Sequence, residues 1–135
     1  MADPMNVFQV AGRAMSAQLI RMNTTASNLA NVGGTTGSAE TAYKTMKPVF
    51  RTSFDAASGL ATVDVEKIVT AAESPTKVYD PNNPLADKDG NIYQAAVDES
   101  RELVDMMETA RSYQNNVEVM NTAKQLTIDT LKLGR

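Results

Sequence analysis

Histidine, cysteine and tryptophan are absent from all 135 residues. Without the first two there is no Ser-His-Asp or Cys-His catalysis, no ordinary zinc site, no iron–sulfur cluster and no disulfide. Any catalysis would rest on carboxylates, lysine, tyrosine or hydroxyls. A lack of cysteine fits every redox compartment and selects none. Aromatic residues are scarce too, at 5%, so the rings that usually dominate a compact core are missing. The apolar 42% is largely Met, Leu, Val, Ile and Ala, material suited to helix–helix seams. A net charge of -3 with a pI near 4.9 leaves no basic footprint for nucleic acid or acidic lipid. No apolar run approaches the roughly 20 residues that span a bilayer, so no direct membrane insertion is expected. The opening MADPMNVFQV lacks a basic segment followed by an apolar one, which argues against a Sec signal. By default such a chain is soluble and cytoplasmic, unless another export route carries it.

What is present falls into three zones, 1–33, 34–96 and 97–135. In the first, Phe8, Gly12, Met15, Leu19, Met22, Ala26 and Leu29 follow one another in alternating steps of 4 and 3, a heptad seam. Asp3-Pro4 supplies a helix start and Gly33-Gly34 a stop. The stretch RMNTTASNLANV inside this helix carries few large apolar residues. Its alanines permit close helix approach, and its amides, Asn28 and Asn31 among them, supply polar contacts. The middle zone opens on the loop GGTTGSAE and continues with strand-like runs at 48–51, 61–65 and 77–79. Residues 79–93 are turn-rich, and Asp89-Gly90 suits a hairpin. The last zone predicts a long helix from about residue 97, with a seam of Leu103, Met106, Ala110, Tyr113, Val117 and Met120. That seam slips at Lys124 before Ile128 and Leu131, as a stutter does. Acidic residues at its start and lysines near its end complement the helix dipole.

The expected fold is therefore mainly α with a small β module. Long N- and C-terminal helices pair as a coiled coil around a mostly β or irregular middle. At 1.5 Å per residue the helices run about 40 and 50 Å, whereas a compact domain of this size has a radius of gyration of about 14 Å. Apolar rows of that length invite partners.

Four apparent sites dissolve on inspection. In ADKDGN, calcium-loop register would put Leu85 and Ala96 at positions that need oxygen ligands, so the segment reads as a turn. Glu99, Glu102, Asp105 and Glu108 form an acidic cluster with no histidine or apolar pocket to tune it, which reads as a solvated helix start. Gly33, Gly34 and Gly37 lack the Lys-Ser/Thr of a phosphate loop. Asn23-Thr24-Thr25 matches a glycosylation acceptor but lies mid-helix.

The stretch MSAQLIRMNTTASNLANV (15–32) resembles the N-terminal motif of flagellar rod, hook and hook-associated axial proteins. YKTMKPVF (43–50), VYDPNNPLAD (78–87) and the C-terminal run from Glu102 to Arg135 narrow the resemblance to flagellar basal-body rod proteins of the FlgC type. The family commonly carries Gly-Tyr-Val and then Pro-Asn-Val before its last helix. Here residues 90–98 read GNIYQAAVD, with no proline. The resemblance implies a non-enzymatic subunit without a cofactor, in a hollow periplasmic rod that transmits motor torque. It implies partners as well: copies of the chain, other rod proteins, and the flagellar type III apparatus that exports subunits without a cleaved Sec signal. Subunit packing would then fall on the seam residues named above, Gly12 excepted, together with Asn28, Asn31, Ile128 and Leu131. The alternatives from residues alone are a cytoplasmic helical adaptor or chaperone that binds partner helices, and a carboxylate-dependent enzyme.

Overall fold

The structure is a computed structural model and describes residues 4–134; Asp3, the expected helix cap, lies outside them. Helix α1 spans Pro4–Ala30. Five strands follow: β1 (Thr35–Thr36), β2 (Met46–Asp55), β3 (Leu60–Thr70), β4 (Thr76–Tyr79) and β5 (Asn91–Gln94). Helix α2, Glu99–Leu133, follows β5.

The ends of the helices have local causes. After Ala30 the amides of Asn31, Val32 and Gly34 bond back to the carbonyls of Asn28, Leu29 and Asn31. Gly33 then takes φ +69°, the left-handed turn that a residue without Cβ enters freely. At the start of α2 the Asp98 carboxylate accepts the Arg101 amide at 3.1 Å, an N-cap. The helix thus begins at Glu99, two residues later than the 97 expected.

The chain divides into two compact units. The first joins α1 up to Met22, residues Pro48–Lys67 and α2 from Met107 onward. Here β2 and β3 pair as a two-stranded hairpin. The Asp55 carboxylate takes the Ala57 amide at 3.0 Å and the Ser58 hydroxyl at 2.7 Å to close its turn. Arg13 bridges α1 to Asp64 of β3 at 3.0 Å, an exposed pair worth at most about 1 kcal/mol. Arg21 of α1 lies 3.5 Å from Glu108 at one end of this unit. Val7 shares a groove with Ala123 and Leu126 at the other, so the helices run antiparallel within it.

The second unit comprises Asn23–Lys47 and Ile68–Met106. Its sheet has the order β1-β5-β4, all antiparallel. Central β5 pairs Gln94 with Thr35 on one side and Ile92 with Val78 on the other. Ile92, 4% exposed, is the one large aliphatic among the buried apolar residues described, the rest being alanines.

Three expectations change here. The GGTTGSAE loop contains β1, because two β-branched threonines find a free edge of β5. Both hairpin strands run further than the apolar pattern indicated. Residues such as Thr52 and Lys67 are exposed, so cross-strand backbone pairing and not side-chain burial extends them. Asp89-Gly90 does not form a two-residue turn but ends a connection over 80–90, where the Asp80 amide bonds to the Gly90 carbonyl. Gly90 sits at φ +77°, with any Cβ pressed to 3.0 Å from the Tyr79 ring.

Asp87 organises that connection. Its Oδ1 accepts the amides of Asn91 at 2.8 Å and Asp89 at 2.9 Å. The Asn91 amide above all, helped by the Asp89 amide and the charge of Lys77, holds its pKa below the ordinary 3.8 against some desolvation. A depressed folded-state pKa stabilises above the unfolded value, and the gain is lost as pH falls through the folded one. In urea titrations the native chain should therefore weaken below about pH 4. Asp87→Asn should flatten the profile in that window, and the two curves should converge at the acid end.

Candidate assembly surfaces and a buried polar node

Burial along each helix picks out a row. On α1 the fully buried residues are Ala11, Ala17, Thr24, Thr25 and Asn28, and a row of Val10, Ala14, Ala17, Arg21, Thr24 and Asn28 runs among them in steps of 4 and 3. On α2 it is Glu102, Met106, Thr109, Tyr113, Asn116, Met120, Ala123 and Thr127, with the same step and no slip. Both rows are mostly small or polar. Helices lined this way come close together, since interaxial distance follows side-chain size.

The seams expected from large apolar residues lie elsewhere. At 100° per residue, the α1 seam is centred about 150° around the helix from the packed row. Leu19 is 44% exposed and Ala26 is exposed, while Phe8, Met15, Met22 and Leu29 are half-buried. On α2 the expected seam shares Met106, Tyr113 and Met120 with the packed row. At the alternate positions the chain packs Glu102, Thr109 and Asn116, each one residue before Leu103, Ala110 and Val117. Leu103 and Leu131 are 47% and 67% exposed; Ala110, Val117 and Ile128 are half-buried. The break at Lys124 belongs to the apolar seam, whereas the packed row continues through Ala123 and Thr127.

Apolar residues outside the expected seams are exposed as well, among them Val104 and Met107. Val119, Leu126 and Leu133 recur every seven residues along α2 and are also exposed, a period legible in hindsight. In the first unit, open grooves of about 270 Å³ and about 390 Å³ flank Val7 and Val119. Phe54 stands 67% exposed on β2.

The amides of α1 have a different use. Asn28 is 1% exposed. Its Nδ2 donates to the Met46 carbonyl and to Glu102 Oε2, both at 2.9 Å. Its Oδ1 accepts the Tyr43 hydroxyl and the Met46 amide, also at 2.9 Å. Met46 N–H can only donate and its carbonyl only accept, which fixes the orientation of the amide. All four bonding positions are filled, so Asn28 has none left for a neighbouring subunit. Asn31, half-buried, returns its Nδ2 to the Ser27 carbonyl at 2.8 Å and finishes the helix. Glu102, expected to be solvated, is 2% exposed, held by this amide and by its place in the first turn of α2. Burial first, and the charge of Glu102 second, push the Tyr43 phenol above its ordinary pKa.

Of the other acids, Glu99 is exposed, Asp105 half-buried, and Glu108 faces Arg21. Among the described residues no cluster of three or more acids is placed to hold a metal ion. No described helix is long and apolar enough to cross a membrane.

Two long helices thus flank the β segments, with apolar side chains such as Leu19, Leu103 and Leu131 exposed on them. Residues 8–37 match a family described as flagella basal body rod protein. Residues 88–133 match the C-terminal family of the flagellar basal body rod FlgEFG proteins. The flagellar basal-body rod protein FlgC of Salmonella typhimurium is 42% identical over 133 residues, 97% of this chain and 98% of its own length. FlgC of Escherichia coli O157:H7 is 44% identical over the same shares, and that of Yersinia enterocolitica 39% over 131 residues. The chain belongs to the FlgC family of flagellar basal-body rod proteins. These relatives lend no support to the adaptor reading.

Proposed function

We propose that the chain is a structural, non-catalytic subunit of the flagellar basal-body rod. In this reading its terminal helices, 1–33 and 97–135, pair as a coiled coil around the middle zone 34–96. They pack with copies of the chain and with other rod proteins into a hollow shaft that carries torque across the periplasm. Subunits arrive through the flagellar type III apparatus without a cleaved Sec signal. The observation that carries the proposal is the row Phe8, Met15, Leu19, Met22, Ala26 and Leu29, in which Leu19 and Ala26 are exposed and the others half-buried, in a chain of this family. Burying such a row contributes roughly 25 cal/mol per Å², offset by the entropy of ordering the subunits. The exposed α2 residues Leu103 and Leu131, with Ala110, Val117 and Ile128 beside the packed row, supply a second contact surface on the same logic.

Fractionation tests it. The protein should co-purify with detergent-extracted basal bodies, at a rod position by labelling. Recovery in the cytosol alone, with basal bodies complete in its absence, would sink the proposal.

A further inference from the structure

The packed rows leave a problem of register. A repeat of small side chains every 3.5 residues matches itself again after a slide of seven, and small side chains discriminate poorly between the two fits. Besides Asn28 and Glu102, the row on α1 offers Val10, Ala14, Ala17, Arg21 and Thr24; on α2 it offers Thr109, Asn116, Ala123 and Thr127 with Met106, Tyr113 and Met120, large side chains that themselves recur every seven residues. Among the fully buried positions of the two rows, Asn28, with its four hydrogen bonds, and Glu102, a carboxylate, differ in kind, whereas the half-buried Arg21 pairs with the exposed Glu108.

We propose that Asn28 and Glu102 are positioning residues that select the register of α1 against α2. The Asn28 amide and the Met46 backbone exchange two hydrogen bonds, as two residues paired across strands do, which pins the end of α1 to the first residue of β2. The remaining Nδ2 hydrogen meets the Glu102 carboxylate, and Tyr43 takes the remaining lone pair. A slide of α2 by one heptad puts Thr109 or Ala95 opposite Asn28. Neither reaches as an anionic acceptor, and the Glu102 carboxylate is left buried without its donor. Single buried polar groups select register in this way at the expense of stability in helical assemblies. The role goes beyond the rod reading and does not depend on it.

The absence of native cysteine makes the test clean. One turn before Asn28 is Thr24, and one turn after Glu102 is Met106, so Thr24→Cys with Met106→Cys reports the native register. Thr24→Cys with Glu99→Cys reports a slide of one heptad. Each pair is oxidised in the full-length chain, and the ratio of native to slipped cross-link is measured by peptide mass. Glu102→Gln keeps an acceptor for Asn28 Nδ2 and should hold the ratio near that of the parent chain. Glu102→Leu should lower it about tenfold or more, as losing one charge-assisted hydrogen bond implies. If the leucine variant lacks a helical circular dichroism spectrum, Glu102→Ala takes its place. An unchanged ratio in the folded apolar variant overturns the proposal. So does a glutamine variant that slips as far as the leucine one.

Discussion

Asn28→Leu should lower the unfolding free energy by about 3–5 kcal/mol, the range measured when one partner of a buried polar or charged pair is removed. The side chains are close in size, so the loss is one of hydrogen bonding rather than of volume. Four groups are stranded at once: the Tyr43 hydroxyl, both backbone groups of Met46, and Glu102, itself 2% exposed. Each buried polar group without a partner costs about 1–3 kcal/mol, and a carboxylate costs more. Relaxation that admits water keeps the total below the sum. Domains of this kind are stable by about 5–15 kcal/mol, so the variant should be largely unfolded under mild denaturant. Urea titration followed by helical circular dichroism measures it. A loss under about 1 kcal/mol would mean that the node contributes little.

Leu19→Asp should have the opposite profile, leaving the monomer sound and removing the assembly. Leu19 is 44% exposed, and surface changes away from special features fall within about 0.5 kcal/mol. In the rod reading the same position is buried against a neighbour. An unpaired carboxylate there costs several kcal/mol per subunit, repeated at every copy. The variant should melt like the parent yet be missing from isolated basal bodies, and the cells should be non-motile. Ala17→Asp is the control. Ala17 lies two residues away and is 3% exposed, so its substitution should unfold the monomer itself. Normal motility with Leu19→Asp would remove that residue from any subunit contact.

The two variants separate surfaces that composition alone had merged. Large apolar residues in steps of 4 and 3 mark a row that prefers to leave water, but not what covers it. On α1 the chain packs small and polar residues inward and leaves Leu19 and Ala26 outside. On α2 the step was legible, and Met106, Tyr113 and Met120 lie on both the expected seam and the packed row. Glu102, Thr109 and Asn116 were obscured because a glutamate, a threonine and an asparagine do not look like core. The burial of Glu102 rests on a partner distant in sequence, Asn28, 74 residues away.

From the sequence alone came the two long helices, the turn chemistry that ends the first, a small β middle, and the family. These follow from local causes: periodicity, caps, glycine at positive φ, and motifs read residue by residue. Tertiary structure decided which face of each helix turns inward, that β1 completes a sheet on β5, and that the amides of RMNTTASNLANV serve the chain's own interior. The physical reason is that a helical repeat specifies a stripe but not its partner. The partner is chosen by how closely backbones can approach and by which buried polar groups find each other, and both are properties of the folded chain.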